Sequence, residues 1–211
     1  MPSPAHPPVY PPPPAPPSGA AVPATRLRPA AVFLALATVV ALVAGWPLAA
    51  RALPDKEGLR DGARLTIGPS GSGRVVLRVR GGGWELSRSA SDPDSGYLLG
   101  RAGVRVRASR VDLLTTEAAG RLWPGLRDVL RASDAGARLG APGSTRTTEG
   151  RPGRTGSAEQ GGRRGRAFAF AAPDADFAVT VVVLGGRGAD REALREGYAL
   201  ARSARFEDGP A

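Results

Sequence analysis

An uncharged run of 22 residues, Pro29–Ala50 (PAAVFLALATVVALVAGWPLAA), is closed by Arg26 and Arg28 on one side and by Arg51 on the other. At ~1.5 Å rise per residue it makes a helix of roughly 33 Å, enough to cross a hydrocarbon core of about 30 Å. In lipid, a lone segment satisfies its own backbone only as a helix. The run predicts a single transmembrane helix that separates a tail, residues 1–28, from a domain beyond residue 51. A cleaved signal peptide is the rival reading, because Ala50-Arg51-Ala52 has the small-x-small form of a cleavage site. The apolar run exceeds the usual ~7–15 residues of such peptides, which favours the uncleaved anchor. Within the span, Ala37, Ala41 and Gly45 form a stripe of small residues along which two such helices can approach closely.

Orientation follows from flanking charge, since Lys and Arg near a span stay on the cytoplasmic side. Arg26 and Arg28 precede the helix, while Arg51 and Lys56 follow it. The tail is short and has no acidic residue, whereas the C-terminal part is large enough to be exported as a folded unit. The expected localisation is therefore the cell membrane, with the tail cytoplasmic and the domain extracytoplasmic. The first 29 residues hold 12 of the 21 prolines, in runs such as PPVYPPPPAPP. That composition predicts a disordered or polyproline II tail. Pro7-Pro8-Val9-Tyr10 matches the PPxY pattern recognised by aromatic-grooved domains, although a proline-dense tail produces such matches freely.

A net charge of +10 would ordinarily point to nucleic acid. Here Lys56 is the only lysine, Ile67 the only isoleucine, and Asn is absent, a bias of the kind GC-rich codons produce. An exported domain also does not meet cellular DNA, so no nucleic-acid partner is expected. From Arg51 onward 27 basic residues stand against 19 acidic ones, a net +8 beside anionic lipid or wall polymer. The chain has no cysteine, and its one histidine, His6, lies in the tail. Disulfides, thiol nucleophiles, a lipoprotein anchor, a Ser-His-Asp triad and a histidine-ligated metal in the domain are thereby excluded. Neither a cofactor nor a metal is expected.

After a juxtamembrane linker, residues 51–62, strand signals begin. Arg64–Ile67 is short and apolar, and Arg74–Arg80 (RVVLRVR) places Val75, Leu77 and Val79 on one face. Gly81-Gly82-Gly83 and Trp84-Glu85-Leu86 continue the meander, and Val104 and Val106 alternate with Arg105 and Arg107. Leu122, Leu126, Val129 and Leu130 carry a helical period, placing a helix at about Pro124–Ser133, with Pro124 in its first turn or with one earlier turn before it. Leu139–Gly162 reads as weak strands or a loose loop, followed by strands Arg166–Ala171 and Phe177–Leu184, the second apolar enough to be central. Asp190 caps a last helix whose buried stripe is Leu194, Gly197, Tyr198 and Ala201. The expected fold is α+β over residues 63–207, one antiparallel β-sheet packed by two helices and preceded by the transmembrane helix and the disordered tail.

The sequence RVVLRVRGGGWELSRSASDPDSGYLLGRAGVRV, the helix around LWPGLRDVLRAS, the hairpin around GRAFAFAAPDADFAVTVVVLG and the closing EALREGYALARSARF resemble single-pass membrane proteins of actinomycetes. Their exported domains are similar to the Mog1/PsbP-like fold seen in LpqN-type lipoproteins. The likeness covers about residues 60–207 and rests on element order. The lipobox cysteine of the LpqN type is missing. The resemblance implies a binding or scaffolding role rather than catalysis, and it transfers no site residues.

Four places invite a chemical reading. Asp92 and Asp94 in the turn Ser91–Gly96 offer two carboxylates to a hard cation, but a plain turn explains them better. Glu85 with Asp112, and Asp174 with Asp176, are the carboxylate pairs an exported wall-polymer hydrolase would need, and nothing in their spacing supports one. Arg101, Arg105 and Arg107, with Arg163, Arg164 and Arg166 in a nearby hairpin, form the candidate anion-binding face. Expected partners are the membrane, anionic lipid or wall polymer, and a protein of the envelope. The expected function is a non-enzymatic, membrane-anchored extracytoplasmic domain that binds or scaffolds an envelope component.

Overall fold

The computed structural model describes residues 55–113 and 115–208. The tail, the Pro29–Ala50 run with its small-residue stripe, and the PPxY match lie outside them. Among the described residues no helix is long and apolar enough to cross a membrane.

Two antiparallel sheets, not one, make the domain, and strand outweighs helix by 45% to 19%. The strands are β1 (Lys56–Leu59), β2 (Arg64–Ile67), β3 (Arg74–Arg78), β4 (Trp84–Ser87), β5 (Gly96–Arg101) and β6 (Val104–Asp112). Helix α1 (Thr116–Ser133) leads to β7 (Arg138–Leu139), β8 (Gly143–Arg146), β9 (Pro152–Gln160), β10 (Arg163–Ala171) and β11 (Phe177–Gly185). Helix α2 (Arg191–Arg202) and β12 (Arg205–Glu207) close the chain. The large sheet runs β1-β4-β5-β6-β11-β10-β9-β7, with β8 also on β9, and the small sheet runs β12-β3-β2.

The single-sheet expectation fails because β3 does not extend the meander. Val75, Leu77 and Val79 are fully buried against residues of the large sheet, so β2 and β3 lie across it as a second layer. The first core holds these valines and Leu77 with Trp84, Leu99, Val106, Phe170 and Val181, and α2 seals it through Ala193, Leu200 and Ala201. A second core lies on the other face, where Trp123, Leu126 and Leu130 of α1 meet Ala167, Ala169, Val182 and Leu184. The two helices thus cover opposite faces. Every position of β11 is buried, as a strand covered on both sides must be.

Two further differences, and one choice between alternatives, have local causes. The stretch read as linker contributes β1, whose pairing with β4 places Lys56 opposite Ser87 and Leu59 opposite Trp84. The stretch read as weak strands or loop forms β7, β8 and β9. Its small residues are packing residues: a Cβ on Gly156 would come within 2.8 Å of the Trp123 ring. Helix α1 starts eight residues earlier than expected and carries Pro124 in its interior. The carbonyl of Gly120, which Pro124 leaves without an N–H, belongs to an exposed residue and is open to water.

Candidate functional site

Helix α1 covers only part of its face of the large sheet. Its buried stripe lies over β10 and β11, leaving the side chains of β5 and β6 on that face without a helix above them. Between the flank of α1 and these strands runs a groove of about 1000 Å³. Leu98, Val111, Val182 and Leu184 contribute to its sheet side, and Leu122 and Val129 to its helix side. Val129 is 66% exposed and Val111 37%, and among the described residues these two are the large apolar side chains left open to solvent. Isolated exposed apolar residues are ordinary; here two of them share one groove.

Basic residues edge the same groove: Arg105 and Arg107 from β6, Arg121 from α1 and Arg163 from β10. Two tight hairpins place them. Arg101 pairs with Val104 across the Ala102-Gly103 turn, where both residues have positive φ, 43° and 80°. Gln160 pairs with Arg163 across Gly161-Gly162, with φ 55° and 70°. Both are the two-residue geometry that matches strand twist. The hairpins meet where the Arg163 guanidinium donates to the Gly103 carbonyl at 2.9 Å. Beyond them, Arg107 lies opposite Leu98 on β5 and Val182 on β11, so a cation borders an apolar row.

The same end of the groove is tied by Asp134, which ends α1. Its carboxylate accepts from the backbone N–H of Gly136 at 2.9 Å and of Gly161 at 2.7 Å. These two bonds hold its pKa below the ordinary aspartate value, the Gly161 bond contributing most. Ser133 accepts from the Gln160 amide at 2.8 Å beside it. Helix α1 is thereby pinned to the β9–β10 turn that also carries Arg163.

The six arginines expected on one face are divided by the fold. Arg105, Arg107 and Arg163 share the groove. Arg101 instead forms an ion pair with Glu196 of α2, on the first-core side. Arg164 pairs with Glu159 at 3.3 Å, and Arg166 lies near Tyr198, whose hydroxyl burial pushes up in pKa. Strand alternation decides this: residues 163, 165 and 167 face one way, and 164, 166 and 168 the other. The carboxylate pairs do not come forward as acid and base. Glu85 is bound by Lys56 at 2.8 Å and Asp112 by Arg110 at 2.8 Å, while Asp174 and Asp176 are exposed in the β10–β11 turn. Asp92 spends its oxygens on the Asp94 N–H and the Ser95 hydroxyl, at 3.0 Å each, so the Ser91–Gly96 segment is an Asx turn.

The apolar half of the groove was missed from the sequence. Val129 reads as part of the buried helical stripe, yet it stands at the uncovered flank. One signal was present: Tyr97-Leu98-Leu99 breaks strict alternation, so one large apolar residue must leave the first core. No protein-family model matches this chain, and no curated protein matches it either.

Proposed function

We propose that the protein is a membrane-anchored extracytoplasmic binding domain of the cell envelope, and that its ligand is an anionic amphiphile with a single hydrocarbon chain. The groove carries this reading: an apolar trough holding the exposed Val111 and Val129 and edged by Arg105, Arg107, Arg121 and Arg163. Acyl-chain carbons gain about 0.8 kcal/mol for each CH₂ taken out of water. A carboxylate or phosphate head gains charge-assisted hydrogen bonds from guanidinium groups, whose planar fork suits it. Neither half of the site explains the other, and an anionic amphiphile uses both. The net positive charge of the domain favours its encounter with anionic lipid.

The test uses the fragment Arg51–Ala211, which contains both cores entire, and a fluorescent 18-carbon fatty acid as probe. V129D places a charge on the helix wall, and R105E/R107E removes the cations. Each variant is expected to weaken binding by about tenfold or more, with an unchanged circular dichroism spectrum. Added salt should weaken the wild type more than R105E/R107E. Binding that ignores both substitutions would overturn the reading.

A further inference from the structure

A second basic site lies on the outer face of the small sheet, away from the groove. Because Val75 and Leu77 of β3, and Val79 just after it, enter the core, Arg78 and Val76 face outward, joined by Arg64 from β2 and Arg205 from β12. The register puts Arg64 directly opposite Arg78, and Arg205 directly opposite Val76. Like charges facing each other across neighbouring strands destabilise a sheet. These arginines and Arg80 line a cup of about 240 Å³ that also includes Val76, Thr148 and Ser203. Val76 is only 8% exposed. The backbone around the cup is fixed: Ser203 Oγ accepts from the Arg78 N–H at 2.8 Å and donates to the Leu200 carbonyl at 2.7 Å, and the Thr148 N–H donates to the Arg202 carbonyl at 2.8 Å. One carboxylate borders it, Glu149, and it engages Arg205 at 3.5 Å. Among the described residues no carboxylate lies within ion-pairing distance of Arg64, Arg78 or Arg80.

We propose that this cup is a phosphate-binding site. Three arginines with no carboxylate partner among the described residues, two of them opposed across a strand pair, line a small concave space. A phosphate offers several acceptor oxygens at once and supplies the missing negative charge. The volume suits a phosphate with the small alcohol esterified to it, and leaves acyl chains outside. The same chemistry is presented by free phosphate and by the glycerol phosphate unit of lipid headgroups and polymers. The site is independent of the groove, which lies on the opposite side of the large sheet.

The test is calorimetric titration of the full-length protein in maltoside micelles, with inorganic phosphate and with glycerol 3-phosphate, against chloride at matched ionic strength. Saturable binding of a phosphate species is expected, and R64Q/R78Q should weaken it by about tenfold or more, while R138Q/R187Q, which removes two exposed arginines elsewhere, leaves it unchanged. Tighter binding of glycerol 3-phosphate than of phosphate assigns the site to the esterified form, and equal binding assigns it to the free anion. A second readout does not depend on binding heat. In chloride, R64Q/R78Q should melt above the wild type because the cross-strand repulsion is gone, and phosphate should raise the wild-type melting temperature more than that of the variant. Absence of binding above chloride, or equal weakening in both double variants, would overturn the site.

Discussion

At the scale of single residues, glycines in the two helices are predicted to respond to the same substitution with opposite sign. Gly197 of α2 lies against the first core, where a Cβ would come within 2.8 Å of Val183 Cγ1 and 3.3 Å of Val106 Cγ2. Gly197→Ala gains helix propensity, ~1 kcal/mol, but overpacks a filled core, which costs about 1–3 kcal/mol, so net destabilisation is expected. Gly120 of α1 is exposed, and a Cβ there would meet nothing within 4 Å. Gly120→Ala should therefore raise stability by roughly 0.5–1 kcal/mol. Urea melts of both variants check the pair, and equal shifts would contradict the packing described for α2. The helical period placed Gly197 in the buried stripe from sequence. That its neighbours would be Val106 and Val183 was not legible, because both are distant in the chain.

At the scale of elements, α1 is followed and α2 is preceded by an aspartate that the fold holds ionised. Asp190 accepts from the N–H groups of Glu192 and Ala193 at the start of α2, and its pKa is lowered chiefly by the Ala193 bond. Asp134, just past the end of α1, accepts from the N–H groups of Gly161 and Gly136, both outside the helix, and so ties that end to the β9–β10 turn, with its pKa lowered chiefly by the Gly161 bond. A carboxylate with a depressed folded pKa contributes stability that is fully present above its unfolded value and is lost as pH falls through the folded value. Stability should thus hold from neutral pH down to the ordinary carboxylate range and fall below it. Asp134→Asn can accept through only one oxygen, and its amide nitrogen must face an N–H. Urea melts from pH 7 to pH 2 should show this variant less stable at neutral pH and less sensitive to acid. An acid limb identical to the wild type would refute the role given to Asp134. The cap of α2 was readable because Asp190 immediately precedes an apolar-periodic segment. The start of α1 was not, because Pro124 reads as a helix start and only tertiary packing of Trp123, Leu126 and Leu130 carries the helix through it.

At the scale of the whole molecule, protease added outside intact spheroplasts should digest the domain and spare a tag fused to Met1. Protection of the domain would reverse the proposed orientation. Release of the domain in soluble form before protease is added would instead indicate cleavage near Ala52. Which segments are strands or helices was legible from the residues alone wherever one periodicity dominated, as in β3, β6, β11 and α2, because alternation and helical spacing are local properties. So was the chemistry the domain lacks, since missing cysteine and a single tail histidine need no coordinates. That β2, β3 and β12 form a second sheet became visible only in the folded chain. A strand with one apolar face is equally suited to extending a sheet or to lying across one, and the choice rests on pairings between residues far apart in the chain. The same is true of both arginine sites. Alternation says that Arg105 and Arg107 share a face, but only the placement of α1 leaves that face open beside Val129. Only the closing strand β12 brings Arg205 beside the opposed pair Arg64 and Arg78.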